Sequence, residues 1–182
     1  RRDLLVGYER LKAIREAVGD KIDIIVEAHA LTDTTSAIEF GNMIEEFRIA
    51  AYEEPVMALN PGQLKQVKDG INIPIAAGER VYTRWGFRPF FEDHMGHIYD
   101  TTCQIHVCGG PIMTAAALQL ECAIPNFAIH ELHRYALLEG NRVTCKYDYL
   151  PVNGKYQIPD LPGIGQELTD KSIAESPKET VK

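Results

Sequence analysis

The sequence is short of positive charge, of paired cysteines and of long apolar runs, and each shortage excludes a class of protein. Its 19 Lys and Arg against 26 Asp and Glu leave a formal net charge of −7. A phosphate backbone is bound through a basic stripe or patch, so nucleic acid is not an expected partner. No apolar run approaches the ~20 residues of a membrane-crossing helix, so no membrane partner is expected. The four cysteines (Cys103, Cys108, Cys122, Cys145) form neither a CxxC pair nor a zinc-type spacing. They read as reduced thiols of a cytoplasmic protein, with Cys103 and Cys108 in apolar surroundings. Low-complexity segments and textual repeats are absent too. No signal peptide opens the chain, although "RRDLLVGYERLKAIREAVGD" starts in the middle of an element and gives that absence little weight. What remains is ordinary globular composition, 45% hydrophobic and 25% charged over 182 residues, enough for one substantial core.

Strand and helix patterns alternate along the chain. Leu4, Tyr8, Leu11, Ile14 and Val18 recur at helical spacing, and Gly19 ends that helix. "KIDIIVEAHA" reads as a strand, "TDTTSAIEFGNMIEEF" as a capped helix, and "IAAYEEPV" as a second strand. "NPGQLKQVKDG" reads as a helix opened by Pro61, and "NIPIAAGE" as a third strand. "WGFRPFFEDHMGHIYD" has an irregular helical pattern. "TTCQIHV" and "NFAIHE" read as a fourth and a fifth strand around the helix "PIMTAAALQLECAI". From about Gly140 the chain turns rich in Gly and Pro and reads as an irregular tail. Such alternation predicts parallel βα units, an α/β fold.

One stretch stands out, "IIVEAHA" at residues 24–30, where an apolar strand ends in an acid and a histidine. Glu27, Glu53 and Glu79 each close an expected strand and lie 26 residues apart, with His106 and Glu131 continuing the series. A βα unit of a (β/α)8 barrel takes roughly 30 residues, and the strand C-termini of such a barrel converge on its active face. Several acids in the same slot would repel one another unless a cation sits among them. A hard divalent ion with oxygen ligands suits that need, and Mg²⁺ keeps room for water or substrate.

The stretches "VEAH", "YEEPV", "IPIAAGERVYTRWGFR", "QIHVCGGP" and "IPNFAIHE" resemble the enolase superfamily, in its mandelate racemase and muconate lactonizing enzyme-like branch. Within that branch they look like the acid-sugar dehydratases of galactonate and mannonate type. The resemblance implies an α/β fold of partial (β/α) TIM-type barrel kind, enolase C-terminal domain-like, over residues 1–139, with residues 140–182 an irregular tail packing back on the barrel or on a capping domain. It implies Glu27, Glu53 and Glu79 as Mg²⁺ ligands, with Glu27 where relatives usually carry aspartate. It implies His106 as the base, His29 as the acid that protonates a departing hydroxyl, and Glu131 as a hydrogen-bond partner of the substrate carboxylate or its enolate. Strand alternation would put His29 on the same face as Glu27. Glu54 is expected either to support the metal ligands directly or to sit in a salt bridge beneath the site. His130 and His133 are expected to pack or to touch the tail, and His94 and His97 to lie on the surface.

The chemistry needs this set. A proton beside a carboxylate is weakly acidic, and the enediolate left by its removal must be stabilised as it forms, which a divalent ion does electrostatically. Histidine, titrating nearest neutral pH, is a competent base. The implied protein is therefore an Mg²⁺-dependent hydro-lyase acting on a small acid sugar and yielding a 2-keto-3-deoxy acid, expected as a cytoplasmic homo-oligomer. Racemisation or cycloisomerisation of a related acid is the alternative, as is a degenerate barrel with a regulatory role.

Two pieces of the family pattern have no counterpart. One is the capping domain with two earlier strands. The other is a whole βα unit near Asp93–His94, which in relatives carries an aspartate that orients the base. A barrel cannot close over a missing strand without losing its hydrogen-bond ladder. The expectation is that the missing residues belong to a longer chain, with the Cα atoms of Asp93 and His94 much farther apart than the ~3.8 Å of a trans peptide. The alternative is a real deletion, with a continuous helix through both residues.

Overall fold

A computed structural model describes residues 2–92 and 101–179. The chain divides into two compact units, residues 1–98 and 99–182. The separation of Asp93 and His94, and the surface positions of His94 and His97, lie outside the described residues.

The first unit is three parallel strands backed by helices. Helix α1 (Arg2–Val18) ends where Gly19, at φ +68°, donates its N–H to Arg15 O at 2.9 Å. Strand β1 (Ile25–Glu27) is followed by α2 (Thr34–Ile44), whose first turn is capped by the Asp33 carboxylate accepting from Ser36 N at 2.9 Å. Strand β2 (Ala51–Glu53) leads to α3 (Pro61–Gly70), capped by Asn60, and then to β3 (Ile75–Ala76) and α4 (Thr83–Glu92). The sheet order is β1-β2-β3, and Glu27 pairs with Glu53 while Glu53 pairs with Ala76.

Because β2 has a neighbour on each side, its side chains meet the core. Tyr52 is fully buried and sits edge-on to Phe40 with ring centroids 6.0 Å apart. Around it Leu11, Ala37, Ile44, Phe47, Val67 and Ile73 close the space between helices and sheet. Arg15 ties α1 to the chain that follows, its guanidinium donating to Phe47 O at 2.9 Å and to Gly19 O and Ile22 O at 2.8 Å. Ile44, with no exposed surface, tests this core: Ile44→Ala should cost about 2–5 kcal/mol, read as a lowered urea midpoint at unchanged slope.

In the second unit α5 (Pro111–Ala123) begins with proline in its first turn, where a missing N–H costs nothing. Two short helices follow, α6 (Glu139–Arg142) and α7 (Asp170–Glu175). The stretch from 140 on is held by local pairing, Lys146 N donating to Glu167 O at 2.8 Å and Thr169 N to Thr144 O at 3.0 Å. It also receives a bond from α5, where Gln119 Nε2 donates to Pro159 O at 3.2 Å.

The structure corrects four sequence expectations. The expected fourth and fifth strands reduce, among the described residues, to a single parallel bridge between Cys103 and Phe127. Only two bonds make it, Cys103 N to Asn126 O at 2.8 Å and Ala128 N to Cys103 O at 2.9 Å. Glu79 does not close a strand, because β3 stops at Ala76 and the chain turns at Gly78. His29 is not placed by strand alternation either: β1 ends at Glu27, and His29 itself is left-handed at φ +52°. Cys108 is exposed rather than set among apolar residues, although all four thiols are free as expected. Among the described residues no helix is long and apolar enough to cross a membrane.

Candidate active site

In the first unit the acids gather where the parallel strands end. Glu27 and Glu53 are the last residues of adjacent strands and face each other in register. The loops beyond them are laced together by backbone bonds: Ala28 N to Glu53 O at 3.0 Å, Ala30 N to Glu54 O at 2.8 Å and Glu54 N to Ala76 O at 2.9 Å. Three non-glycine residues in left-handed conformation, His29, Ala30 and Glu54, let these loops turn as soon as the strands stop. Such backbone costs energy and persists where surrounding contacts hold it.

Gly78 makes the third turn. Its φ of +132° is open only to glycine, and a Cβ there would come within 2.9 Å of the Phe87 ring. The turn swings Glu79 back toward the strand ends, so that one carboxylate oxygen each of Glu53 and Glu79 lie within 4.8 Å of one another. His29 Nε2 lies 3.7 Å from Glu79 Oε1. Glu27 stands a little apart. Among the described residues it does not bring an oxygen that close to both other acids, and its own Oε1 accepts the backbone N–H of His29.

Glu54 lies beneath this group, fully buried, and its charge is answered on both oxygens. Oε1 accepts from Gly78 N at 2.8 Å, and Oε2 pairs with Arg80 Nη1 at 2.9 Å. Of the two readings of Glu54, the salt bridge is present, and Arg80 is its partner. Arg80 is the residue sequence reasoning missed. Its guanidinium also pairs with Glu79 and reaches His29 O at 3.5 Å, so it binds the loops after all three strands. The available signal was a lone arginine directly after the last acid in "AAGER". Arg80→Ala should cost about 3 kcal/mol, because a buried carboxylate left without its cation is strongly destabilising; denaturant unfolding would measure it.

The electrostatics fit a cation. Partial burial of the Glu27 carboxyl pushes its pKa up, the His29 N–H pulls it down, and the charge of Glu79 pushes it up again. Arg80 pairs with Glu54 and Glu79, and Glu27 and Glu53 end adjacent strands in register. Clustered carboxylate oxygens suit Mg²⁺, which takes oxygen ligands and few carboxylates. Glu53 and Glu79 bring oxygens close enough to share such an ion, and Glu27 stands apart from that pair.

The second unit carries the other two candidates side by side. His106 Nδ1 lies 3.2 Å from Glu131 Oε2, and the same oxygen accepts the Val107 N–H at 2.7 Å. Behind them, His130 pairs with Glu121 of α5 at 2.7 Å and meets the ring of Tyr156 at 4.6 Å. His130 therefore packs and touches the tail, as expected. His133 caps a short 3-10 turn, accepting from Tyr135 N at 3.3 Å and stacking on the Tyr135 ring.

Comparison with known proteins decides the family. The enolase C-terminal domain-like family matches residues 3–99 and 93–172, nearly the whole chain. The chain belongs to that family. The match to the enolase-type domain falls in two segments that meet at residues 93–99, where the resemblance implies a missing βα unit. A crystal structure of a member of the enolase superfamily from Salmonella Typhimurium is 60% identical with a TM-score of 0.93, covering 98% of this chain and 52% of its own. A mandelate racemase/muconate lactonizing enzyme-like protein from Roseovarius is 28% identical with a TM-score of 0.80, covering 94% of this chain and 48% of its own. D-xylonate dehydratase of Haloferax volcanii is 29% identical over 88% of this chain and 44% of its own length. D-galactonate dehydratase of Pectobacterium atrosepticum is 27% identical over 91% and 50%. The chain thus spans about half the length of the curated relatives it matches. With the family established, the partial α/β barrel implied by the sequence is the fold to which the parallel sheet belongs.

Proposed function

We propose that the protein is a hydro-lyase that removes water from an acid sugar, an aldonate, to give a 2-keto-3-deoxy acid. The observation that carries this reading is the approach of the Glu53 and Glu79 carboxylates at the C-terminal ends of the parallel strands, with Glu27 in register beside Glu53, in a chain whose curated relatives are named as dehydratases of sugar acids. Glu27, Glu53 and Glu79 would hold Mg²⁺, which supplies fixed positive charge against the substrate carboxylate.

The chain's own residues do the proton work. His106, with a neutral ring nitrogen, takes the proton from the carbon beside the carboxylate, and the electron pair of that C–H bond passes into an enediolate. His29 gives a proton to the β-hydroxyl, so that the C–O bond breaks with loss of water as the enediolate electrons form the new double bond. The resulting enol tautomerises to the ketone. Arg80 keeps His29 and Glu79 in place through its contacts with both.

Incubating the protein with a panel of aldonates, with Mg²⁺ and with chelator, and trapping 2-keto acids with semicarbazide tests the reading. A chelator-sensitive semicarbazone on at least one aldonate is the expected result. Solvent exchange at the α-carbon without any semicarbazone would point to racemisation instead.

A further inference from the structure

The turn that presents His29 is strained. Leu31 N–H donates to Ala28 O at 3.1 Å, closing a four-residue turn whose two central residues, His29 and Ala30, are left-handed at φ +52° and +57°. Turns with positive φ at both central positions are ordinarily built from Gly, Asn or Asp, because a Cβ there crowds the neighbouring carbonyl oxygen. Histidine and alanine have no such freedom, and each raises the energy of the turn. The right-handed turn, with negative φ at both positions, is open to them without that cost.

Hydrogen bonds from outside the turn offset the strain. Ala30 N–H donates to Glu54 O at 2.8 Å, and His29 N–H donates to the Glu27 carboxylate. Arg80 Nη2 only reaches His29 O at 3.5 Å, the outer limit for such a bond. The acceptor Glu54, itself left-handed at φ +42°, is fixed in turn by Ala76 O and Gly78 N. Side-chain packing adds little, since Leu31 is 83% exposed and the His29 side chain 62%. Strain is therefore opposed by a few polar contacts and almost no burial, which leaves two arrangements of the turn close in energy. We propose that the turn at residues 28–31 is a gate for His29. Its closed, left-handed form sets Nε2 3.7 Å from Glu79 Oε1. Its relaxed form frees Ala30 N–H from Glu54 O and carries the ring away from Glu79. Ala30 is the positioning residue that keeps the two forms near balance: glycine would settle the turn closed, and a β-branched residue would settle it open.

The two forms of the turn stand on backbone geometry, and only the gating of catalysis rests on the proton-donor role given above to His29. Methyl relaxation dispersion on the full-length protein without substrate reads the turn directly, through ¹³C-labelled Ala28 and Leu31 methyls assigned by their loss in Ala28→Gly and Leu31→Met. Wild type should show exchange on the microsecond-to-millisecond scale of loop gates at both methyls. Ala30→Gly, which accepts positive φ freely, should shift the balance toward the closed form by about tenfold and quench the exchange. Ala30→Val should enlarge the open population instead. On an aldonate that is turned over, Ala30→Val should slow dehydration by about 10²-fold while exchange of the substrate α-proton with solvent continues, because His106 is untouched. Flat dispersion at both methyls in wild type, or dispersion unchanged in Ala30→Gly, would overturn the gate. Equal loss of α-proton exchange and dehydration in Ala30→Val would mark a packing defect and overturn the positioning role. Should the valine variant fail to fold, the glycine variant decides alone. If the turn responds as stated and no aldonate is dehydrated by wild type, the two-state turn stands and the dehydratase reading fails.

Discussion

His106→Asn should abolish exchange of the substrate α-proton with solvent deuterium, whereas His29→Asn should spare that exchange and stop dehydration. Only an elimination needs a second proton carrier at the β-carbon, since the α-proton leaves to one residue and the hydroxyl leaves with a proton from another. Each loss should be 10²–10⁴-fold, about the usual scale for a positioned acid or base. NMR of the α-proton beside a semicarbazide assay separates the two effects in one experiment. The structure adds a reason for the split. His29 is a loop residue in left-handed conformation, its ring largely exposed and 3.7 Å from Glu79, so replacing it leaves the strands intact. Should His29→Asn dehydrate at the wild-type rate, His29 is only a polar residue at a strand end, and proton donation belongs to another group.

Removing a ligand charge should have a comparable effect on metal binding. Glu53→Gln and Glu79→Gln should each weaken Mg²⁺ binding by at least about 10²-fold in calorimetric titration, since even residues that only support a metal's ligands cost 10–100-fold when lost. Glutamine keeps the volume and the carbonyl oxygen, so the loss reports charge rather than packing. Glu27→Gln is the informative third case, because Glu27 stands slightly apart and its Oε1 is taken by the His29 N–H. Binding as tight as wild type would remove Glu27 from the ligand set. Undiminished binding in all three variants would end the metal assignment.

Much of the fold was legible residue by residue. The period of Leu4, Tyr8, Leu11 and Ile14 predicts α1, and the structure runs it over Arg2–Val18 with Gly19 at its end. Asp33 and Asn60 start α2 and α3, as capping side chains before apolar periods do. The strand-end acids were equally plain, since a charged residue closing a β-branched run is conspicuous, and the motifs around them imply the family that the whole-chain comparison then establishes.

What only the tertiary structure decided is how long each strand lasts and where the side chains beyond it turn. "KIDIIVEAHA" and "NIPIAAGE" both read as longer strands than the three and two residues observed. A strand continues only while a neighbour supplies ladder partners, and those partners are distant in sequence. The even spacing of Glu27, Glu53 and Glu79 therefore suggested a common register that Glu79 does not share: Glu53 pairs with Ala76, and the turn at Gly78 returns Glu79 to the site instead. The same holds for Arg80 and Glu54, 26 residues apart, and for His106 and Glu131, 25 apart. Periodicity and capping are written into a few consecutive residues, so the sequence by itself determined the longer helices, the acids and the family, while the short α6 and α7 fall in what reads as an irregular tail. Which carboxylate meets which cation or ring depends on loops closing across strands, and that is settled only when the chain has folded.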